Sequence, residues 1–211
     1  SRRSIGVTDG LLLVGASGLA REVLAAGITG VVGILDDKPG LLGDRIGGVE
    51  VVGTIDDAAS RDEQLLVCVG PSAGRRAVVR RLAGLGVTDD RFATYVARSA
   101  RIGSTSDVAA GSILLDGVVV TADALVGHHV VVMPNCIITH DCVLDDFATL
   151  AAGVALGGSV QVGEAAYVGM NAGVRQGVTI GGGATVGMGA IVLADVPDDQ
   201  TWAGVPARQL G

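Results

Sequence analysis

Histidine is scarce in this chain: His128, His129 and His140 are the three among 211 residues. His140 stands directly before a carboxylate in ITHDCVLDDF, residues 137–146, inside an otherwise aliphatic tract. An imidazole titrates near neutrality, so it can take a proton from an attacking nucleophile. An adjacent carboxylate, here Asp141, can orient the ring and favour the imidazolium that forms. Taken alone, a histidine in a polar turn is first of all a solvated turn residue. What the pair means depends on the elements that hold it.

Those elements are a repeat of six. Every sixth residue from Val96 to Val192 is aliphatic, at seventeen of seventeen positions, and four places after each stands Ala, Ser, Val or Cys. Two inward residues separated by one outward residue, as in Cys136-Ile137-Ile138, make a short strand with one buried face. The next two positions must turn, and many hold turn formers: Asp116-Gly117, Pro134-Asn135, His140-Asp141, Gly158-Ser159, Gly182-Gly183. Short strands turning in one sense and stacked about 4.8 Å apart form a parallel β-solenoid. With three strands per coil, seventeen hexapeptides make nearly six coils. The outward residues Ile113, Val119, Leu125, Val131, Ile137 and Val143 are apolar on all three faces. A surface of that kind is expected to be covered by sister subunits.

The first ninety residues read differently. LLLVGASGLAREVLAAG (11–27) is a buried strand, a glycine turn and a helix, and VVGILDD (31–37) is a second strand with an acidic end. Further strands are expected at 48–53 and 64–70, the last leading through Pro71-Ser72 into the basic helix GRRAVVRRLAGLG. The expected fold is therefore α/β, a small Rossmann-like parallel sheet over 1–92, followed by an all-β parallel β-helix over 93–211. Ligands of such a sheet bind at the carboxyl ends of its strands. Gly15-Ala16-Ser17-Gly18 is not the dinucleotide fingerprint, but glycines before a helix N-terminus suit a phosphate. Asp36 and Asp37 can cap the strand end or accept hydrogen bonds from a base or ribose.

Composition narrows the class. The chain is 49% hydrophobic but only 2% aromatic, with 34 glycines, so its core must be Val, Leu, Ile and Ala in thin layers. A net charge of -7 argues against nucleic acid as a partner. No apolar run approaches the roughly 18 residues of a membrane span, and SRRSIGVTDG lacks the apolar centre of a secretion signal. A cytoplasmic protein with no membrane partner is the expectation. Cys68, Cys136 and Cys142 have no C-x-x-C spacing, so they are read as small buried hydrophobes and no metal site is expected.

Together the halves resemble the sugar acyltransferases that include sialic acid O-acetyltransferases and the N-acetyltransferases of nucleotide-linked 4-amino sugars. The resemblance runs from about Leu11 to Leu210, through GASGLAREV, ILDD, VCVGPSAGRR, THDC, GGSVQVGEAAYVGMNAGV and AGVPAR. It implies a left-handed β-helix, a homotrimer, and direct acetyl transfer from acetyl-CoA with His140 as general base supported by Asp141. It also implies a cofactor track past Gly158, Met170, Gly187 and Met188, with Arg208 for a phosphate. A nucleotide-linked amino sugar would be held by Gly15, Ser17, Gly18, Asp36, Asp37, Lys38 and Gly70. Leu19, Met133 and Thr149 depart from the family's polar residues at those places, Thr149 replacing a second histidine expected to contact the thioester carbonyl. O-acetylation of a free sugar or sialic acid, and an inactive trimeric nucleotide-binding scaffold, therefore stand as alternatives. The solenoid carbonic anhydrases bind zinc through a histidine pair spaced H-x-x-x-x-H. That spacing does not occur here, and His128 and His129 are expected in a solvated turn or a subunit contact.

Overall fold

The computed structural model describes residues 10–210. Its first part is one open sheet. Strand β1 (Leu11–Val14) is buried along its whole length and pairs in parallel with β2 (Val31–Leu35) and β5 (Gln64–Val67). Strand β4 (Val49–Gly53) adds in parallel to β2, and the two-residue β3 (Arg45–Ile46) closes that edge antiparallel to β4. The sequence does not announce β3, because two residues are too few to show alternation. Between β4 and β5 the chain makes only a single 3₁₀ segment, Ile55–Ser60.

The turn after β1 is fixed by chemistry that only glycine satisfies. Gly15 has φ +102°, and a Cβ there would lie 3.1 Å from the Cys68 carbonyl oxygen. Ser17 then caps helix α1 (Gly18–Ala25). Its Oγ accepts from the Leu19 amide at 3.1 Å and donates to the Cys68 carbonyl at 2.7 Å.

From Tyr95 the chain coils. Every two-residue strand from Tyr95–Val96 to Ile191–Val192 ends on one member of the aliphatic series. Strands 18 residues apart pair in parallel, as Ile137 does with Val119 and Ala155. Three faces result. Face 1 starts at Tyr95–Val96 and includes Ile113–Leu114, Val131–Val132 and Thr149–Leu150; face 2 starts at Arg101–Ile102; face 3 starts at Asp107–Val108. Inside run Val120, Cys136, Ile138, Cys142, Leu144 and their counterparts, buried from Leu114 onward. The second turn residue takes the left-handed region in coil after coil, including Asp123, His129, Asn135, Asp141 and Ser159. Short polar side chains tolerate that region best, and aspartate and asparagine recur there.

Face 1 corrects one expectation. Its outward Ile113 and Val131 are buried not by a sister subunit but by the chain's own N-terminal sheet, in one apolar cluster with Leu11, Leu13, Leu19 and Ile34. Helix α2 (Ser72–Gly84) fastens this contact through Arg75, which has no exposed surface. Arg75 donates to the carbonyls of Val69, Gly70, His129, Phe147 and Ala148 and to Thr149 Oγ1, at 2.7–3.2 Å.

His129 corrects a second expectation. It is 4% exposed, packed edge-on against Phe92 at 4.6 Å and stacked on Phe147 at 5.3 Å between ring centres. Its Nδ1 has no hydrogen-bond partner among the described residues. Burial, then the neighbouring His128 and Arg75 charges, pull its pKa down to about 4. Between that value and the unfolded value near 6.5, only the unfolded chain takes up the proton. Stability is thus complete above about pH 6.5 and declines as pH falls towards 4, by up to about 3 kcal/mol. Urea unfolding of the wild type should show this slope, and His129→Asn should flatten it. Equal slopes would remove His129 from the account.

Candidate active site

His140 lies on the edge where face 2 turns into face 3, just after strand Ile137–Ile138. Asp141 follows at φ +60°, a conformation that brings its carboxylate back along the edge. The ring Nδ1 and Asp141 Oδ2 are 2.7 Å apart, and both side chains are more than half exposed. A carboxylate oxygen accepts, so this contact favours a proton on Nδ1 and leaves Nε2 with a free lone pair. An open cleft of about 450 Å³ adjoins the ring, lined by His140, Gly158, Ser159, Gln176 and Gly177. Its walls are low. A side chain at Gly177 would meet nothing within 4 Å, so a narrow extended ligand can lie beside Nε2 without displacing protein.

Of the residues the resemblance assigns to acetyl-CoA, only Gly158 shares this cleft. Met170, Gly187 and Met188 lie on the next edge, between faces 1 and 2, and Arg208 lies in the terminal strand Ala207–Gln209 added to face 1. Met170 and Met188 are 45% and 73% exposed, so they form an apolar rim open to solvent. Gln176 and Ser159 were not foreseen. The signal was available, since Gln176 follows His140 by two 18-residue coils on the same edge.

The residues assigned to the sugar nucleotide do gather. Parallel pairing puts the ends of β1, β2 and β5 side by side, and with them Gly15, Ser17, Gly18, Asp36, Lys38 and Gly70. Asp36 links two of these segments: its carboxylate accepts from the Ala16 amide at 2.6 Å and from the Lys38 amide at 2.8 Å. Asp37 is engaged elsewhere, by Arg81 and by the Ile55 amide, and the Arg81 hydrogen bond holds its carboxyl below the usual range. Leu19 belongs to the apolar cluster under the sheet, with Met133 packed against it. Thr149 is buried between domains, its hydroxyl bonded to Ser72 and Arg75, so it makes no part of the His140 cleft.

The placement has one large consequence. The N-terminal sheet sits on face 1, and the edge carrying His140 is the one opposite face 1. Among the described residues, none before Tyr95 lines the His140 cleft. Among the described residues no group of three His, Cys, Asp or Glu side chains could hold a metal ion, and no helix is long and apolar enough to cross a membrane.

No family model and no curated protein matches the chain. Solved structures do. A histidine-to-alanine variant of GDP-perosamine N-acetyl transferase from Caulobacter crescentus, in complex with CoA and GDP-perosamine, is 29% identical over 100% of both chains with a TM-score of 0.87. The acetyltransferase domain of PglB from Neisseria gonorrhoeae, in complex with acetyl coenzyme A, is 30% identical over 96% of this chain and 99% of its own, at 0.85. WeeI from Acinetobacter baumannii is 28% identical over 96% and 100%, also at 0.85.

Proposed function

Because the chain belongs to the sugar acyltransferases built on a left-handed β-helix of hexapeptide repeats, acetyltransferases that use acetyl-CoA, we propose that its acceptor is the amino group of a nucleotide-linked amino sugar, deprotonated by His140. The observation that carries this reading is the 2.7 Å contact of His140 Nδ1 with Asp141 on an exposed edge beside an open cleft. Nε2 takes the proton from the amine as it attacks the thioester, and the same proton is available to the thiolate that leaves. The transfer is direct. Cys68, Cys136 and Cys142 are all buried, and burial raises the thiol pKa of each, so none is a covalent relay.

The nucleotide is assigned to the edge formed by Gly15, Ser17, Gly18, Asp36, Lys38 and Gly70. Since this edge and His140 belong to opposite sides of one chain, the sugar is presented by a neighbouring copy. Faces 2 and 3 offer the contact, with Ile137 44% and Leu125 50% exposed. Beside Leu125, a groove of about 340 Å³ is lined also by Val143, Asp107, Asp145 and Asp146. A trimer is the assembly proposed. Sedimentation should give the mass of three chains, and Leu125→Glu should shift it towards one with loss of activity; a fully active monomer would defeat the shared site.

Release of free thiol from acetyl-CoA tests the reaction itself. It should require a nucleotide-linked 4-amino sugar such as GDP-perosamine. Thiol release with sialic acid and none with any amino sugar would turn the assignment to O-acetylation.

A further inference from the structure

The glycine above the catalytic ring has no backbone reason to be there. Gly158 lies one coil beyond His140 on the same edge and is absent from the glycines with positive φ. Other coils carry side chains at the same place in the repeat: Ala122 and Gln176 on this edge, Asp146, Glu164, Met170 and Met188 on the others. The solenoid therefore accepts a Cβ at this position in general.

What a Cβ at residue 158 would meet is the imidazole. Its three nearest atoms would be His140 Cε1 at 2.4 Å, Nε2 at 2.5 Å and Nδ1 at 3.2 Å. The two neighbouring cases behave differently. At Gly157 the obstacle is backbone, the Gln176 amide nitrogen at 2.6 Å, so that glycine serves coil stacking. At Gly182, the one other glycine at this place in the repeat, nothing comes closer than 3.6 Å. Of these three glycines, 158 alone has its vacant volume filled by a titratable side chain; Gly111, whose Cβ would meet the His129 ring, has a positive φ and hence a backbone reason of its own.

We infer that Gly158 is a positioning residue for His140: its missing side chain is the space in which the ring rests while Nδ1 meets Asp141. This rests on the reading of His140 as base. With any larger residue at 158 the ring must swing off the edge, breaking the Asp141 contact and moving Nε2 from the cleft. The coil itself need not move, because the obstacle is the far end of an exposed side chain.

The test uses the full chain, with acetyl-CoA and GDP-perosamine as probes and NMR of the histidine ring protons, which three histidines keep resolvable. Gly158→Ala should lower kcat by about 10- to 100-fold, because a displacement near 1 Å is enough. It should shift the His140 ring resonances, with Tm unchanged and any rise in the KM for acetyl-CoA smaller than the fall in kcat. Gly157→Ala should instead lower Tm. In a His140→Ala background, Gly158→Ala should cost nothing further. A loss that persists in that background, a change confined to the KM for acetyl-CoA, or unmoved ring resonances would each overturn the inference. Should His140→Ala itself retain wild-type turnover, the base reading fails, while the ring resonances still decide whether Gly158 holds the imidazole.

Discussion

Replacing His140 with alanine is expected to lower kcat by about 10²- to 10⁴-fold, the usual range for a lost general base, while leaving unfolding unchanged. The two halves of that statement have separate grounds. The ring is largely exposed and makes one side-chain hydrogen bond, to Asp141, so removing it costs the solenoid no packing. Its backbone carbonyl still accepts from the Ser159 amide at 2.9 Å, so the coil contact survives. Catalysis loses the one titratable side chain that lines the cleft among the described residues. Asp141→Asn should cost less in rate than His140→Ala, since the base remains and only its orientation and tautomer are disturbed. Thiol-release kinetics on both variants check the order, and a His140→Ala enzyme with wild-type kcat would refute the assignment.

The largest expected effect on stability is at Arg75. Substitution by methionine or alanine should destabilise the chain by about 3–5 kcal/mol, since several buried acceptors lose their donor at about 1–3 kcal/mol each. Among the described residues no carboxylate pairs with Arg75. Its guanidinium is held by five carbonyls and the Thr149 hydroxyl, and burial lowers its pKa to about 10, so it remains charged at neutral pH. Truncation leaves the Val69, Gly70, His129 and Phe147 carbonyls without a donor among the described residues, whereas Ala148 keeps the Val131 amide and Thr149 keeps the Ser72 hydroxyl. Because three of the carbonyls belong to the solenoid and two to the loop after β5, the junction should loosen before either part unfolds. Denaturant titration followed at Trp202 in the solenoid and by proteolysis after Gly70 would separate the two. A variant that unfolds in one transition at the wild-type midpoint would show the staple to be dispensable.

The repeat was readable because a solenoid writes its geometry locally. Seventeen aliphatic residues at a spacing of six foretold the strands from Tyr95–Val96 to Ile191–Val192, since from Leu114 onward each buries one inward residue at its end. His140 and Asp141 were readable for the same reason, as turn positions on that scaffold. Contacts between the parts were not. Ile113, Val119 and Leu125 look alike in sequence, yet only Ile113 faces the N-terminal sheet, because which face is covered depends on docking rather than on period. Arg75 hid inside a basic helix, although its place with Ser72, Val79 and Leu82 on one stripe marked it as inward. His129 hid likewise, its neighbours Phe92 and Phe147 lying 37 and 18 residues away in sequence.

Pairing between residues 18 apart makes the prism a ruler. Its graduations are one strand spacing, about 4.8 Å, and nothing between is allowed. An insertion of six residues ahead of His140 would carry the ring to another edge, whereas eighteen would keep the edge and raise the ring one notch relative to the domain docked on face 1. Reach from the docked domain to the ring can therefore change only in steps of one strand spacing.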